Sequence, residues 1–167
     1  MNYIFIGMPT CGKSTVGVLI AKALGYDFLD TDLVIQQREG RKLSEIIEKE
    51  GIDGFKRIEN EVNASINVNH TVIAPGGSAV YGTEAMEHFK RIGTVVYLSL
   101  SYETVASRLK NAKARGVVMP DGYTLRDLYD ERVPLYERYA DVTVKTDGNS
   151  LDETVEQVLH TLEQKAL

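Results

Sequence analysis

The sequence predicts an α/β domain in which a five-stranded parallel sheet is sandwiched between two layers of helices. Three observations carry this reading. Short β-branched apolar runs alternate with segments of helical spacing from end to end; each run is bounded by Gly, Pro or polar residues; and a glycine-rich turn joins the first run to the first helix. Parallel neighbours need crossover connections, and the intervening helices supply them on both faces.

Residues 3–6, Tyr-Ile-Phe-Ile, form the first strand, and residues 13–24 carry the first helical pattern. Residues 26–29 give the second strand, ending just before an acidic pair. Helical spacing then returns over 32–39, 43–50 and 55–67. The all-apolar or β-branched runs at 71–74, 94–98 and 142–144 read as buried strands. Between and after them, helices are expected over 83–91, 102–110, 124–139 and 151–164. Residues 111–123 combine Lys113, Arg115, two glycines and Pro120 with little periodicity, so an exposed lid loop is expected there. No internal repeat or low-complexity linker interrupts the pattern.

One domain over 1–167 is expected, because a chain of 167 residues can bury a substantial core. A content of 43% hydrophobic and 26% charged residues is ordinary for a globular protein. The net charge of −5 argues against a nucleic-acid partner, whose backbone demands clustered Lys and Arg. An anionic ligand would need local positive charge, available from Lys13, Lys56, Arg57, Arg108, Arg115 and Arg132. The single cysteine, Cys11, cannot form an internal disulfide. The apolar run at residues 3–6 is too short for a secretory leader, and no stretch approaches the roughly 18 apolar residues of a membrane span. A cytoplasmic protein without a membrane partner is expected.

Residues 7–14, Gly-Met-Pro-Thr-Cys-Gly-Lys-Ser, fit the P-loop pattern of Gly, four residues, Gly, Lys and Ser/Thr, directly after a strand and before a helix. The glycines let backbone N–H groups turn inward around phosphate oxygens, and the helix N-terminus adds its positive dipole end. Gly7, Thr10, Cys11, Gly12, Lys13, Ser14 and Thr15 are thus the candidate nucleotide cradle. Lys13 is suited to the β- and γ-phosphates and Ser14 to Mg²⁺. Cys11 is either a reactive thiol at a helix N-terminus or a small residue at a variable position of the loop. Downstream, Asp30-Thr31-Asp32 puts two carboxylates at the carboxyl edge of the sheet, where open α/β folds bind ligands. Asp32 can orient or deprotonate an acceptor hydroxyl, or merely cap the helix that follows; the same alternative stands for Asp30.

The P-loop, Asp30-Thr31-Asp32, Phe55-Lys56-Arg57-Ile58-Glu59, Pro75-Gly76-Gly77-Ser78 and Arg132-Val133-Pro134-Leu135-Tyr136 occur in the order and approximate spacing of shikimate kinases. The chain resembles that family over nearly its whole length, with a fold like that of nucleoside monophosphate kinases. The resemblance implies a monomer that phosphorylates shikimate to shikimate 3-phosphate with Mg·ATP, in aromatic amino acid biosynthesis. It implies that Asp32 meets the substrate hydroxyls, Asp30 organises Mg²⁺, Gly76 and Gly77 approach the substrate ring, and Arg132 grips its carboxylate. Arg115 would close over the ATP phosphates from the lid.

Three positions depart from the family pattern. Lys56 stands where an arginine would grip the carboxylate, and a Lys lacks the planar fork of Arg. Ser78 replaces the third glycine of a Gly-Gly-Gly stretch, where it could clash or recognise something. Arg115-Gly116-Val117-Val118 replaces Arg-Pro-Leu-Leu in the lid. Two further readings stay open: a related kinase for another hydroxylated carboxylic acid or polyol, and a nucleotide-binding module without catalysis.

Overall fold

The computed structural model describes residues 1–109 and 117–167. Five parallel strands, β1 (Asn2–Ile6), β2 (Asp27–Asp30), β3 (Thr71–Ala74), β4 (Gly93–Ser99) and β5 (Val142–Lys145), form one sheet in the order β2-β3-β1-β4-β5. The inner strands β1, β3 and β4 are buried almost throughout, which is why they read as continuous apolar runs instead of alternating ones. The edge strands β2 and β5 are more exposed and shorter on apolar residues.

Among the described residues seven helices pack around the sheet: α1 (Lys13–Leu24), α2 (Thr31–Glu39), α3 (Leu43–Ala64), α4 (Thr83–Ile92), α5 (Tyr102–Arg108), α6 (Leu125–Tyr139) and α7 (Leu151–Ala166). The fold is the α/β P-loop class that the alternation predicts. Three local features differ from expectation. The helices expected at 43–50 and 55–67 run together as α3, interrupted only at Gly51, whose φ of 73° and ψ of 177° are non-helical. A short 3-10 turn, Ala79–Tyr81, follows β3 where no element was expected. The helix expected to reach residue 110 ends at Arg108.

The main core joins both faces of β1, β3 and β4 to α1, α4, α6 and α7 through residues such as Ile4, Phe5, Ile20, Phe89, Val96, Tyr136 and Val158. A second apolar cluster, Ile35, Ile46, Phe55, Ile58 and Val62, lies between α2 and α3. That smaller core fixes α3 against α2 and so sets the position of side chains that α3 sends toward the carboxyl edge of the sheet. No helix of the described residues is long and apolar enough to cross a membrane.

Candidate active site

A cleft of roughly 340 Å³ opens at the carboxyl edge of the sheet. Its walls are the loop after β1, the end of β2, the middle of α3, the loop after β3, Val117 and Val118, and α6. The sheet explains this convergence: β1, β2 and β3 are parallel neighbours, so the segments leaving them emerge on one side.

Thr10, Gly12, Lys13, Ser14 and Thr15 line the cleft. Gly7 starts the loop at φ 152°, and a Cβ there would lie 2.8 Å from the carbonyl oxygen of Leu98, so only glycine can take the chain out of β1 at this point. Thr10 sits at φ 69°, an uncommon conformation for a residue with a Cβ. No side chain caps the N-terminus of α1, which leaves its first N–H groups to serve an anion. The Lys13 ammonium donates to the carbonyls of Gly7 and Met8 at 2.9 and 3.0 Å, spanning the loop. From α5, Arg108 donates to the Thr10 carbonyl at 3.1 Å. Gly7 and Cys11 shape the loop from behind without lining the cleft. The Cys11 side chain is buried in the main core, with its Sγ 3.7 Å from the Lys13 ammonium.

Asp30 is the N-cap of α2: its Oδ1 accepts from the Asp32 N–H at 2.9 Å. Its Oδ2 lies 3.5 Å from the Ser14 hydroxyl, which donates to it. Asp30 thus ties the P-loop to α2, and the Asp32 carboxylate is released from capping. Burial pushes Asp32 up to about 6, helped by the negative charge of Asp30 and opposed by Lys13. Among the described residues no group of three or more His, Cys, Asp or Glu is arranged to hold a metal. The oxygen pair of Ser14 and Asp30 nevertheless suits Mg²⁺, a hard cation that takes few protein ligands and keeps waters and phosphate oxygens for the rest.

Opposite Asp32, α3 delivers Glu59, which is 2% exposed. Its Oε1 accepts from the Ser78 hydroxyl at 2.7 Å, and its Oε2 has no hydrogen-bond partner among the described residues. Burial raises Glu59 to about 7; the Ser78 hydrogen bond opposes this, Asp32 adds to it, and Arg132 and Lys56 pull it down. Gly76 runs between the two acids. A Cβ on Gly76 would come 3.0 Å from Glu59 Oε2 and 3.1 Å from Asp32 Oδ1, while one on Gly77 would come 2.9 Å from Arg132 Nη1 and 3.0 Å from Pro9. The two glycines are bare because functional side chains lie against them.

Arg132 and Tyr136 stand one helical turn apart on α6 and so point the same way. Tyr136 is fully buried, stacks on Tyr97 of β4 with centroids 5.2 Å apart, and donates to the Gly77 carbonyl at 2.7 Å. It anchors the glycine segment to the sheet. Arg132 is 1% exposed, donating to the Val118 carbonyl at 2.7 Å and to the Tyr81 hydroxyl at 3.4 Å. No carboxylate lies within ion-pair distance of it among the described residues. A buried guanidinium without an acid partner is costly, and an anion entering the cleft would relieve that cost.

The chain matches the shikimate kinase family model over residues 9–163. Shikimate kinase 1 of Citrobacter koseri is 35% identical over 166 residues, covering 97% of this chain and 96% of that protein. The shikimate kinase of Acinetobacter baumannii, solved in complex with shikimate, superposes with a TM-score of 0.87 at 32% identity over 99% of this chain and 94% of that one. The shikimate kinase of Aquifex aeolicus does so with a TM-score of 0.85 at 33% identity over 100% and 99% of the two chains. This chain belongs to the shikimate kinase family.

As a shikimate kinase relative, the chain resolves its departures locally. Lys56 does not line the cleft; its ammonium sits 3.8 Å from the centroid of the Tyr81 ring, a cation–π contact that holds it at the rim. Arg57, one residue on, is exposed and does not take its place. Ser78 causes no clash: its backbone is in the ordinary right-handed helical region at φ −86°, and its hydroxyl is satisfied by Glu59. Arg115 and residues 111–116 of the expected lid lie outside the described residues, whereas Val117 and Val118 at its far end line the cleft.

Glu59 and Tyr81 received no role from the sequence. Glu59 carries a readable signal all the same: it shares the buried face of α3 with Phe55, Ile58 and Val62, and an acid on such a face needs a reason to be there. Tyr81 gives no such signal, because its two cation contacts join residues 25 and 51 positions away in the chain.

Proposed function

We propose that this cleft transfers the γ-phosphoryl group of ATP to the 3-hydroxyl of shikimate, with Arg132 taking the carboxylate of the acceptor and Asp32 the attacking hydroxyl. The observation that carries the assignment of ends is the buried guanidinium of Arg132, which lines the cleft against Gly77 with no ion-pair partner among the described residues. An acceptor anchored at Arg132 by its carboxylate presents its hydroxyls to Asp32, beside the phosphate cradle.

The remaining chemistry is positioning and charge neutralisation, because phosphoryl transfer needs little covalent help from the protein. The loop N–H groups and the N-terminus of α1 receive phosphate oxygens, and Lys13 exchanges its two loop carbonyls for them. Asp32 orients the hydroxyl and takes its proton as the O–P bond forms. Ser14 and Asp30 would hold Mg²⁺, which when bound neutralises charge on the β- and γ-phosphates. Arg115 is the further cation for the transferring group.

The test is a coupled assay of ADP release with and without shikimate. Saturable, shikimate-dependent turnover is the expected result. Absence of stimulation at millimolar shikimate, with ADP release on another hydroxylated carboxylic acid, would reassign the acceptor while keeping the kinase.

A further inference from the structure

The floor of the cleft contains a contact that the reaction as described does not use. Ser78 is 5% exposed, and its hydroxyl donates at 2.7 Å to Oε1 of the equally buried Glu59. That bond fixes the carboxyl plane and turns the other oxygen, Oε2, onto Gly76, where it lacks any partner among the described residues. Asp32 Oδ1 lies against the same glycine, 3.1 Å from where its Cβ would be. Two carboxylate oxygens therefore lie against one bare glycine, each about 3 Å from the point a Gly76 Cβ would occupy. A buried carboxylate oxygen without a donor is costly, and a ligand hydroxyl is the donor that fits.

We propose that Ser78 is a positioning residue for the acceptor: by holding Glu59 through Oε1 it presents Oε2 to the hydroxyl next to the one that Asp32 readies for phosphorylation. The inference rests on the reading of the cleft as a shikimate site. It gives that site a requirement for a vicinal diol, enforced by Asp32 and Glu59 together and made rigid by Ser78. It also accounts for the position of Lys56. With Glu59 held by a neutral hydroxyl, Lys56 is not needed as its partner and stays on the Tyr81 ring.

Steady-state kinetics on shikimate, and on shikimate lacking the hydroxyl adjacent to the phosphorylated one, tests this in the full chain. Ser78→Ala is expected to raise KM for shikimate about ten-fold, the loss of one hydrogen bond to a charged group, with KM for ATP unchanged. Ser78→Gly should behave the same way, which guards against misfolding of either variant, and Ser78→Thr should keep most of the affinity. The decisive number is the preference for shikimate over its deoxy analogue. The unsubstituted chain should prefer shikimate strongly in kcat/KM and the Ala and Gly variants much less, a change that a merely structural role for Ser78 would not produce. On a Glu59→Gln background, Ser78→Ala should add nothing further. An unchanged KM and an unchanged preference in both Ser78→Ala and Ser78→Gly overturn the inference alone. Failure of the unsubstituted chain to use shikimate overturns the functional reading and this inference with it.

Discussion

The two ends of the cleft are built differently. On the proposed assignment the phosphate end is one continuous segment, residues 7–15, that supplies backbone N–H groups and the Lys13 ammonium together. The acceptor end is assembled from side chains on α2, α3, the loop after β3 and α6, brought together only by tertiary packing. A contiguous backbone site tolerates change elsewhere in the molecule. An assembled site inherits the position of every element that feeds it, so the acceptor end is where substitutions should act selectively on one substrate.

The largest separation of the two ends should come from Lys13→Ala, which removes charge from the phosphates. It is expected to lower kcat by about a thousand-fold with little effect on shikimate affinity, measured by single-turnover kinetics and by binding in the absence of nucleotide. Arg132→Ala is the mirror case. The KM for shikimate should rise about a hundred-fold with KM for ATP nearly constant, because a buried, hydrogen-bonded contact to a charge is lost. Equal loss of affinity for both substrates in either variant would mean that the two ends are one coupled unit.

A smaller effect concerns protons. On the proposed reading Asp32 accepts the hydroxyl proton and must be ionised to do so; burial pushes it up to about 6, so kcat/KM for shikimate should fall on the acid side near pH 6 instead of near pH 4. Glu59 makes a matching statement about stability. Its folded value of about 7 lies above the ordinary 4.5, so its contribution is fully present below pH 4.5 and is lost as pH rises through 7. Above pH 7 Glu59→Gln should therefore stabilise the fold, by up to roughly 3 kcal/mol, visible as a Tm raised by several degrees. That gain should vanish below pH 4.5.

The smallest effect is predicted at the rim. Lys56→Met removes only a cation–π contact and should change KM for shikimate by less than about three-fold. A ten-fold rise would show that Lys56 leaves Tyr81 to reach the substrate, and would extend the acceptor end outward by one residue.

The same contrast explains what could be read from the sequence. The P-loop was legible because its spacing, its preceding strand and its following helix are all local. The sheet was legible because β1, β3 and β4 are buried on both faces and show it as unbroken apolar runs. Asp32 was legible from its place at a strand end, although it was Asp30 that turned out to cap α2. The contact of Lys56 with Tyr81 was not legible, because Tyr81 lies in a 3-10 turn that no periodicity announces. Gly51 hid the continuity of α3, since a glycine amid helical spacing reads as a stop whether or not the helix resumes beyond it.

Gly76 and Gly77 leave the pocket with a floor that a side chain would crowd, since a Cβ there comes within about 3 Å of Asp32, Glu59, Arg132 or Pro9. Variation that retunes the pocket for a different acceptor is thereby channelled to its margins, to positions such as 56, 81 and 118. A lineage carrying this scaffold can exchange one hydroxy acid for another by changing the rim while the reacting centre stays untouched.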